Sequence, residues 1–262
     1  MPDPQQIFAL WAHPRSMSTA FERVMRERGD LDCLHEPFMH DYYIHHQTRR
    51  MPMFDPHPDH PTSYAEVRAM IQTHAAARPV FLKDMSYYVY PHLLEDRQFC
   101  DQMNHAFLVR DPAASIASYY QLDPDVTQVE IGIEAQWRHF QALRELGHTP
   151  VVLLAEDVRA DPQAMIGAYW KAVGLDDAPQ AFDWQGGAPQ DWQPVAGWHG
   201  DVMASQGIKP PSEGEHQKQQ ERFEIAATKR PDLRDMLEHH REFHQRLAEH
   251  ALRPNEPGEI TI

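Results

Sequence analysis

Short runs of consecutive apolar residues recur along the chain, separated by stretches whose apolar positions fall at helical spacing. Ile7-Phe8-Ala9-Leu10-Trp11-Ala12 is continuous and apolar, the pattern of a strand covered on both faces, and a helix is expected to follow over 18–28 with Gly29 as its stop. Further strands are expected at 31–34, 79–83, 105–109 and 151–154, and further helices at 64–77, 129–146, 162–173 and 231–250. Gly147 and Gly174 close two of these helices, and Asp111-Pro112 opens another with a capping carboxylate and a proline where no N–H is needed. Strands that alternate with helices pair in parallel, so the fold class expected is α/β, a doubly wound, mainly parallel sheet flanked by helices. Two segments break the rhythm: 39–62, rich in histidine, proline, tyrosine and methionine, and 176–216, which holds Trp184, Trp192 and Trp198 among prolines and glycines. Both are too long for connectors, which makes them candidate lids or acceptor-binding loops.

Composition narrows the partners. The 262 residues suit one domain, read as 1–262, with 42% hydrophobic and 24% charged residues. A formal net charge of −15 repels nucleic acid and anionic membranes, so neither is expected as a partner. No apolar run approaches bilayer length, and the N-terminus lacks the basic start and apolar stretch of a secretory signal. With only two cysteines, Cys33 and Cys100, the expected setting is the reducing cytoplasm. An anionic ligand must then be held by backbone dipoles and a few placed arginines.

His13-Pro14-Arg15-Ser16-Met17-Ser18-Thr19 sits where the first strand turns into the first helix. Such a turn gathers free N–H groups and the positive end of a helix dipole at one point, which is a phosphate site. Arg15 adds a forked cation, and Ser16, Ser18 and Thr19 add hydroxyls. The segment has neither the glycines nor the lysine of a Walker A loop. Arg110, at the end of Phe107-Leu108-Val109, reaches the same sheet edge if the strands are parallel, and Ser118 follows eight residues later.

Pro14-Arg15-Ser16-Met17-Ser18-Thr19-Ala20-Phe21 resembles the 5′-phosphosulfate loop of sulfotransferases that use 3′-phosphoadenosine 5′-phosphosulfate (PAPS), in the arginine form similar to bacterial and Golgi-type members. Residues 107–120, F-L-V-R-D-P-A-A-S-I-A-S-Y-Y, resemble that family's 3′-phosphate motif, and A-E-D-V-R-A-D-P with Gly174-Leu175 resembles its E-D-L…D-P…G-L segment. The resemblance implies a P-loop-like sulfotransferase architecture and a PAPS-dependent transfer of a sulfuryl group to a hydroxyl or amine of a small soluble acceptor, with no metal. It implies that Arg15, Ser16, Met17, Ser18 and Thr19 hold the 5′-phosphosulfate while Arg110 and Ser118 hold the 3′-phosphate. Met17 stands where the family usually has glycine, and the family's late basic segment has no evident counterpart, Lys209 being a guess.

Transfer of a sulfuryl group requires a base for the acceptor's proton. The K-T-H histidine of cytosolic aryl members is absent, since the matching stretch is Lys83-Asp84-Met85. Bacterial and Golgi-type members carry a glutamate after the second strand, and His35-Glu36-Pro37-Phe38 supplies Glu36. Glu36 is the candidate base, with His35 as its rival and Asp84 a weaker third; the plain alternative for Glu36 is a structural carboxylate paired with Arg15 or a backbone turn. Lys83 is the candidate for stabilising the leaving phosphate, and its alternative is a sheet-edge lysine reaching water. His240 and His244 share a helical face without the glutamate of H-E-x-x-H, which reads as solvated surface. Two rival functions remain, a Mg-dependent phosphotransferase using Asp84 or Asp111, and a non-catalytic nucleotide-binding module. A homodimer stays open.

Overall fold

The computed structural model describes residues 6–185 and 187–253. Five strands, β1 (Ile7–Ala12), β2 (Asp32–His35), β3 (Val80–Met85), β4 (Met103–Val109) and β5 (Val151–Leu154), form one sheet in the order β2-β3-β1-β4-β5. Every pairing is parallel, as the alternation of elements demands. Alternate residues of β1 supply two cores: Ile7, Ala9 and Trp11 face one, Phe8 and Leu10 the other.

The helices are α1 (Ser18–Glu27), α2 (Tyr64–Ala77), α3 (Ser86–Glu95), α4 (Arg97–Cys100), α5 (Pro112–Leu122), α6 (Gln128–Ile131), α7 (Ile133–Glu145), α8 (Ala155–Ala160), α9 (Pro162–Ala172), α10 (Gly200–Met203), α11 (Glu215–Lys229) and α12 (Leu233–Ala248). Phe21, Val24 and Met25 of α1 pack with Ile166, Tyr169 and Trp170 of α9 on one face. Helices α2, α3, α5, α7, α11 and α12 cover the other. The sheet therefore has helices on both sides, and its strand order reverses beside β1, with β3 on one flank and β4 on the other. Ligands of such sheets bind outside the carboxyl ends of the strands at that reversal. There the strands part, and Gln136 of α7 bridges them by donating to the carbonyls of Trp11 and Leu108, both at 3.0 Å.

Several boundaries differ from the sequence reading. The helix expected over 129–146 is broken at Gly132, whose φ of 80° ends α6 and starts α7. A Cβ there would lie 3.0 Å from the Tyr87 ring and 3.1 Å from the His13 Cβ, so the break falls where the chain passes close to the loop after β1. Helix α11 was not expected at all, and α3 carries an internal proline, Pro91. The solvated-surface reading of His240 is corrected: it is buried, its Nε2 lies 2.9 Å from the Gln128 carbonyl, and its Nδ1 accepts from the Glu134 N–H at 3.3 Å. Among the described residues no helix is long and apolar enough to cross a membrane.

Candidate functional site

The loop after β1 gathers hydrogen-bond donors at the sheet edge. His13, fully buried, accepts the Arg110 N–H on Nε2 at 3.0 Å, and its carbonyl accepts the Ser16 N–H at 3.3 Å. Arg15 and Met17 both take left-handed backbone, with φ of 63° and 73°. Left-handed residues interspersed in a turn swing successive N–H groups towards one concavity. Helix α1 then starts with no side-chain cap on Met17 and no acidic residue in its first turn, so its first N–H groups and positive dipole end are left for a ligand. Behind the loop, the Ser16 hydroxyl is buried and has no hydrogen-bond partner among the described residues. A buried hydroxyl without a partner is costly, and an anion at the loop would relieve it.

Two guanidinium groups converge here. Arg15 donates through Nε to Ser118 Oγ at 2.9 Å and through Nη1 to the Trp198 carbonyl at 2.6 Å. Arg110 donates through Nη1 to the Arg15 carbonyl at 2.7 Å. Burial pushes the Arg110 pKa down, with the charge of Arg159 adding to it against the pull of Glu156. A cation held in that state gains from an incoming anion. Both arginines line a cavity of about 520 Å³, together with Ser18, Thr19, Glu36 and His199. That volume lies within the range of small-molecule sites.

The opposite wall comes from β2 and β3. Glu36, buried and with φ of 44°, donates its N–H to the Lys83 carbonyl at 2.8 Å. Its carboxylate forms a short ion pair with the Lys83 ammonium. The sheet-edge alternative for Lys83 is overturned, because β3 is an interior strand and Lys83 is fully buried. The same ammonium lies 3.8 Å from Glu22, a buried carboxylate of α1 that accepts from Trp192 Nε1 at 2.9 Å and Arg26 Nε at 2.8 Å. His35 Nδ1 stands 2.6 Å from Glu22 Oε2, and His35 Nε2 stands 3.0 Å from His199 Nε2. His199 Nδ1 lies 3.3 Å from the Thr19 hydroxyl. Burial lowers the pKa of both histidines, to about 2 for His199, and the Lys83 charge acts in the same direction on both.

Of the expected residues, Arg15, Met17, Ser18, Thr19, Glu36 and Arg110 line the cavity, whereas Ser16, His35, Lys83 and Ser118 do not. Ser118 Oγ accepts from Arg15, and the Lys83 ammonium faces Glu36. Glu36 accordingly has an ion-pair partner in Lys83. Both long irregular segments reach the site. Residue Met51 of the first lines the cavity, and Val195, Trp198, His199 and Lys209 of the second do so. The two segments are joined where Trp198 Nε1 donates to the Pro52 carbonyl at 2.9 Å. Sequence reasoning missed Glu22, Arg159 and His199. Only the apolar surroundings of Glu22 on its helix carried a signal, a charge among buried positions.

The carboxylates a metal-dependent rival would use are engaged. Asp84 accepts the N–H groups of Phe38 and Met85, each at 2.8 Å, and Asp111 caps α5 by accepting the Ala114 N–H at 2.9 Å. Cys100, His105 and His148 stand at ligand spacing, but Trp11 donates to His105 Nδ1 at 3.0 Å, which puts the ring hydrogen on Nε2 against the Cys100 carbonyl.

A family model described as a sulfotransferase domain matches residues 6–236. The chain belongs to that family. Its architecture is similar to the sulfotransferase domain of the Synechococcus PCC 7002 olefin synthase, at 18% identity and a TM-score of 0.55, covering 86% of this chain and 93% of that one. It also matches the mouse sulfotransferase SULT7A1 complexed with PAP, at 12% identity and a TM-score of 0.43, over 89% of each chain. In sequence it is 21% identical over 221 residues to the branched-chain-amino-acid aminotransferase-like protein 2 of Arabidopsis thaliana. This sulfotransferase-domain chain has 79% of its length in that match, which spans only 37% of the plant protein.

Proposed function

We propose that the protein transfers a sulfuryl group from PAPS to a hydroxyl or amine of a small soluble acceptor, in a reducing, cytoplasmic setting. The observation that carries this reading is the convergence of Arg15 and Arg110 on one cavity at the uncapped start of α1. The turn amides, Arg15, Ser16 and Ser18 fit a 5′-phosphosulfate, and Arg110 fits a second phosphate. The donor, once bound, supplies an activated sulfuryl group on a phosphate leaving group. The chain's residues orient that group, neutralise the leaving oxygen through Arg15 and the helix dipole, and receive the acceptor's proton. Among the described residues Glu36 is the carboxylate that lines the cavity, and its ion pair with Lys83 holds it aimed. Lys83 is therefore a positioning residue here, and His35 is the rival base behind the wall.

The test compares the bisphosphate PAP with ATP-Mg as stabilisers, then follows transfer of labelled sulfuryl groups in EDTA. Saturation at one hundred times Kd stabilises by about 2.7 kcal/mol, which appears as a rise in Tm. PAP is expected to raise Tm, ATP-Mg to leave it unchanged, and EDTA to leave transfer intact. Stabilisation by ATP-Mg with none by PAP would transfer the reading to a phosphotransferase. Binding of PAP with no transfer to any hydroxyl or amine acceptor would reduce it to a nucleotide-binding module.

A further inference from the structure

The hydrogens beside the cavity can be placed by counting. A carboxylate only accepts, so the contact between His35 Nδ1 and Glu22 puts a hydrogen on Nδ1 and leaves the lone pair of the neutral ring on Nε2. His199 must then donate to it through Nε2–H, which leaves His199 Nδ1 as an acceptor. The hydrogen of the Thr19 hydroxyl is thereby committed to His199. Three contacts use three hydrogens, all pointing from Thr19 towards Glu22. Glu22 is itself held by Arg26 and Trp192, so the far end of the chain is fixed.

Thr19 nevertheless lines the anion cavity, in the first turn of α1. To donate to an anion it must turn its hydrogen away from His199. That leaves two lone pairs facing each other unless the chain gains a hydrogen, because an anion contact is a fourth contact and it brings none. We propose that an anion bound at Thr19 draws one proton from solvent onto the His35–His199 pair, converting His199 into a ligand-induced cation of the phosphate site. The proton comes from water, no bond to carbon, phosphorus or sulfur changes, and no electrons move. In the charged pair His199 Nδ1–H donates to Thr19 Oγ1, and Thr19 donates to the anion.

Burial above all keeps the pair neutral beforehand, and the net charge of the described groups facing it acts in the same direction. Glu22 and Arg26 of α1, Glu36 after β2, Lys83 of β3 and Arg15 of the loop surround it, three cations against two carboxylates. A multiply charged anion reverses that balance. The inference deepens the PAPS reading and rests on its anion site, yet it applies to any unprotonated oxyanion that reaches Thr19.

The experiment is calorimetric titration of the intact protein at pH 8 in buffers of different ionisation enthalpy, with PAP in one series and inorganic sulfate in a second. The expected result is proton uptake on binding, at most one per ligand and growing as the titration is repeated towards pH 6.5, with affinity weakening as pH rises. Thr19→Val should bind more weakly and lose the uptake, while Thr19→Ser should keep it. Binding of PAP with no proton uptake overturns this inference and leaves the PAPS reading standing. If PAP does not bind, the PAPS reading falls, and the sulfate series alone decides the inference: uptake supports it, and binding without uptake or no binding overturns it. Ring-nitrogen NMR of the unliganded protein gives an independent check. His35 is expected with its hydrogen on Nδ1 and His199 with its hydrogen on Nε2, and the opposite tautomers would overturn the chain.

Discussion

At the scale of single residues, Met17 shows how a site can be legible while its backbone is not. The sequence places a bulky residue at this position, and the left-handed backbone it must adopt emerges only from the φ of 73°. A left-handed residue with a Cβ costs about 1 kcal/mol or more, which the anion loop stores. Met17→Gly is expected to be more stable than Met17→Ala by about 1 kcal/mol, since both lose the side chain and only one relieves the backbone. Equal denaturant midpoints for the two would show that the turn is unstrained. Glu36 is the second test at this scale. Glu36→Gln keeps the shape and leaves Lys83 beside Glu22, so PAP binding should persist while turnover falls by about 10²–10⁴. Wild-type turnover with an unchanged pH profile would move the base to His35. Arg15, Arg110 and Glu36 were readable because each follows the end of a strand, where a parallel sheet puts its ligands, and Thr19 because it stands in the first turn of the helix that follows β1. His199 was not readable, because its contact with Thr19 spans 180 positions of sequence and no local pattern marks it.

At the scale of elements, the strands were visible because burial on both faces demands continuous apolar runs, and β1, β3 and β4 obey that rule almost throughout. Helix α11 was invisible for the converse reason. Only Phe223, Ala226 and Ala227 of its 15 residues are buried, so almost no apolar stripe betrays it. The break between α6 and α7 was hidden too, since Gly132 interrupts a pattern that reads on through it at helical spacing. Its physical reason is contact: with φ of 80° and no room towards Tyr87 and His13, position 132 admits only hydrogen. His13 in turn holds the N–H of Arg110 and the start of the anion loop. Gly132→Ala should therefore cost about 1–3 kcal/mol and weaken PAP binding as well as stability. A mutant with a lowered Tm and unaltered PAP affinity would show that α7 and the loop move independently.

At the scale of the whole molecule, the doubly wound order and the edge that carries the site follow from alternating elements, whereas the closure of the site depends on tertiary contacts that leave no periodic trace. The segment 176–216 folds across α1 and delivers Trp192 to Glu22, Trp198 to Arg15 and His199 to Thr19. Its wrapping belongs to a wider feature, the burial of neutral histidines in every layer. Burial lowers the pKa of His13, His35 and His139 well below the ordinary value, and takes His40 and His105 to about 3, His199 to about 2 and His240 to about 4. In the unfolded chain each of these rings titrates near 6.5. Above that pH neither state binds the proton, and the contribution to stability is fully present. As pH falls below it, the unfolded chain takes up protons that the folded protein refuses, so stability drops by about 1.4 kcal/mol per pH unit for each ring until its folded pKa is reached. Asp84 works in the opposite sense, because burial and the charge of Glu36 raise its pKa. The sum has one sign: Tm should decline steeply from pH 7 towards pH 5, and unfolding in that window should absorb several protons. Differential scanning calorimetry in buffers of different ionisation enthalpy measures both quantities. A Tm constant between pH 7 and pH 5 would mean that the rings are solvated or already charged in the folded protein, and the neutral chain from Thr19 to Glu22 would fall with them.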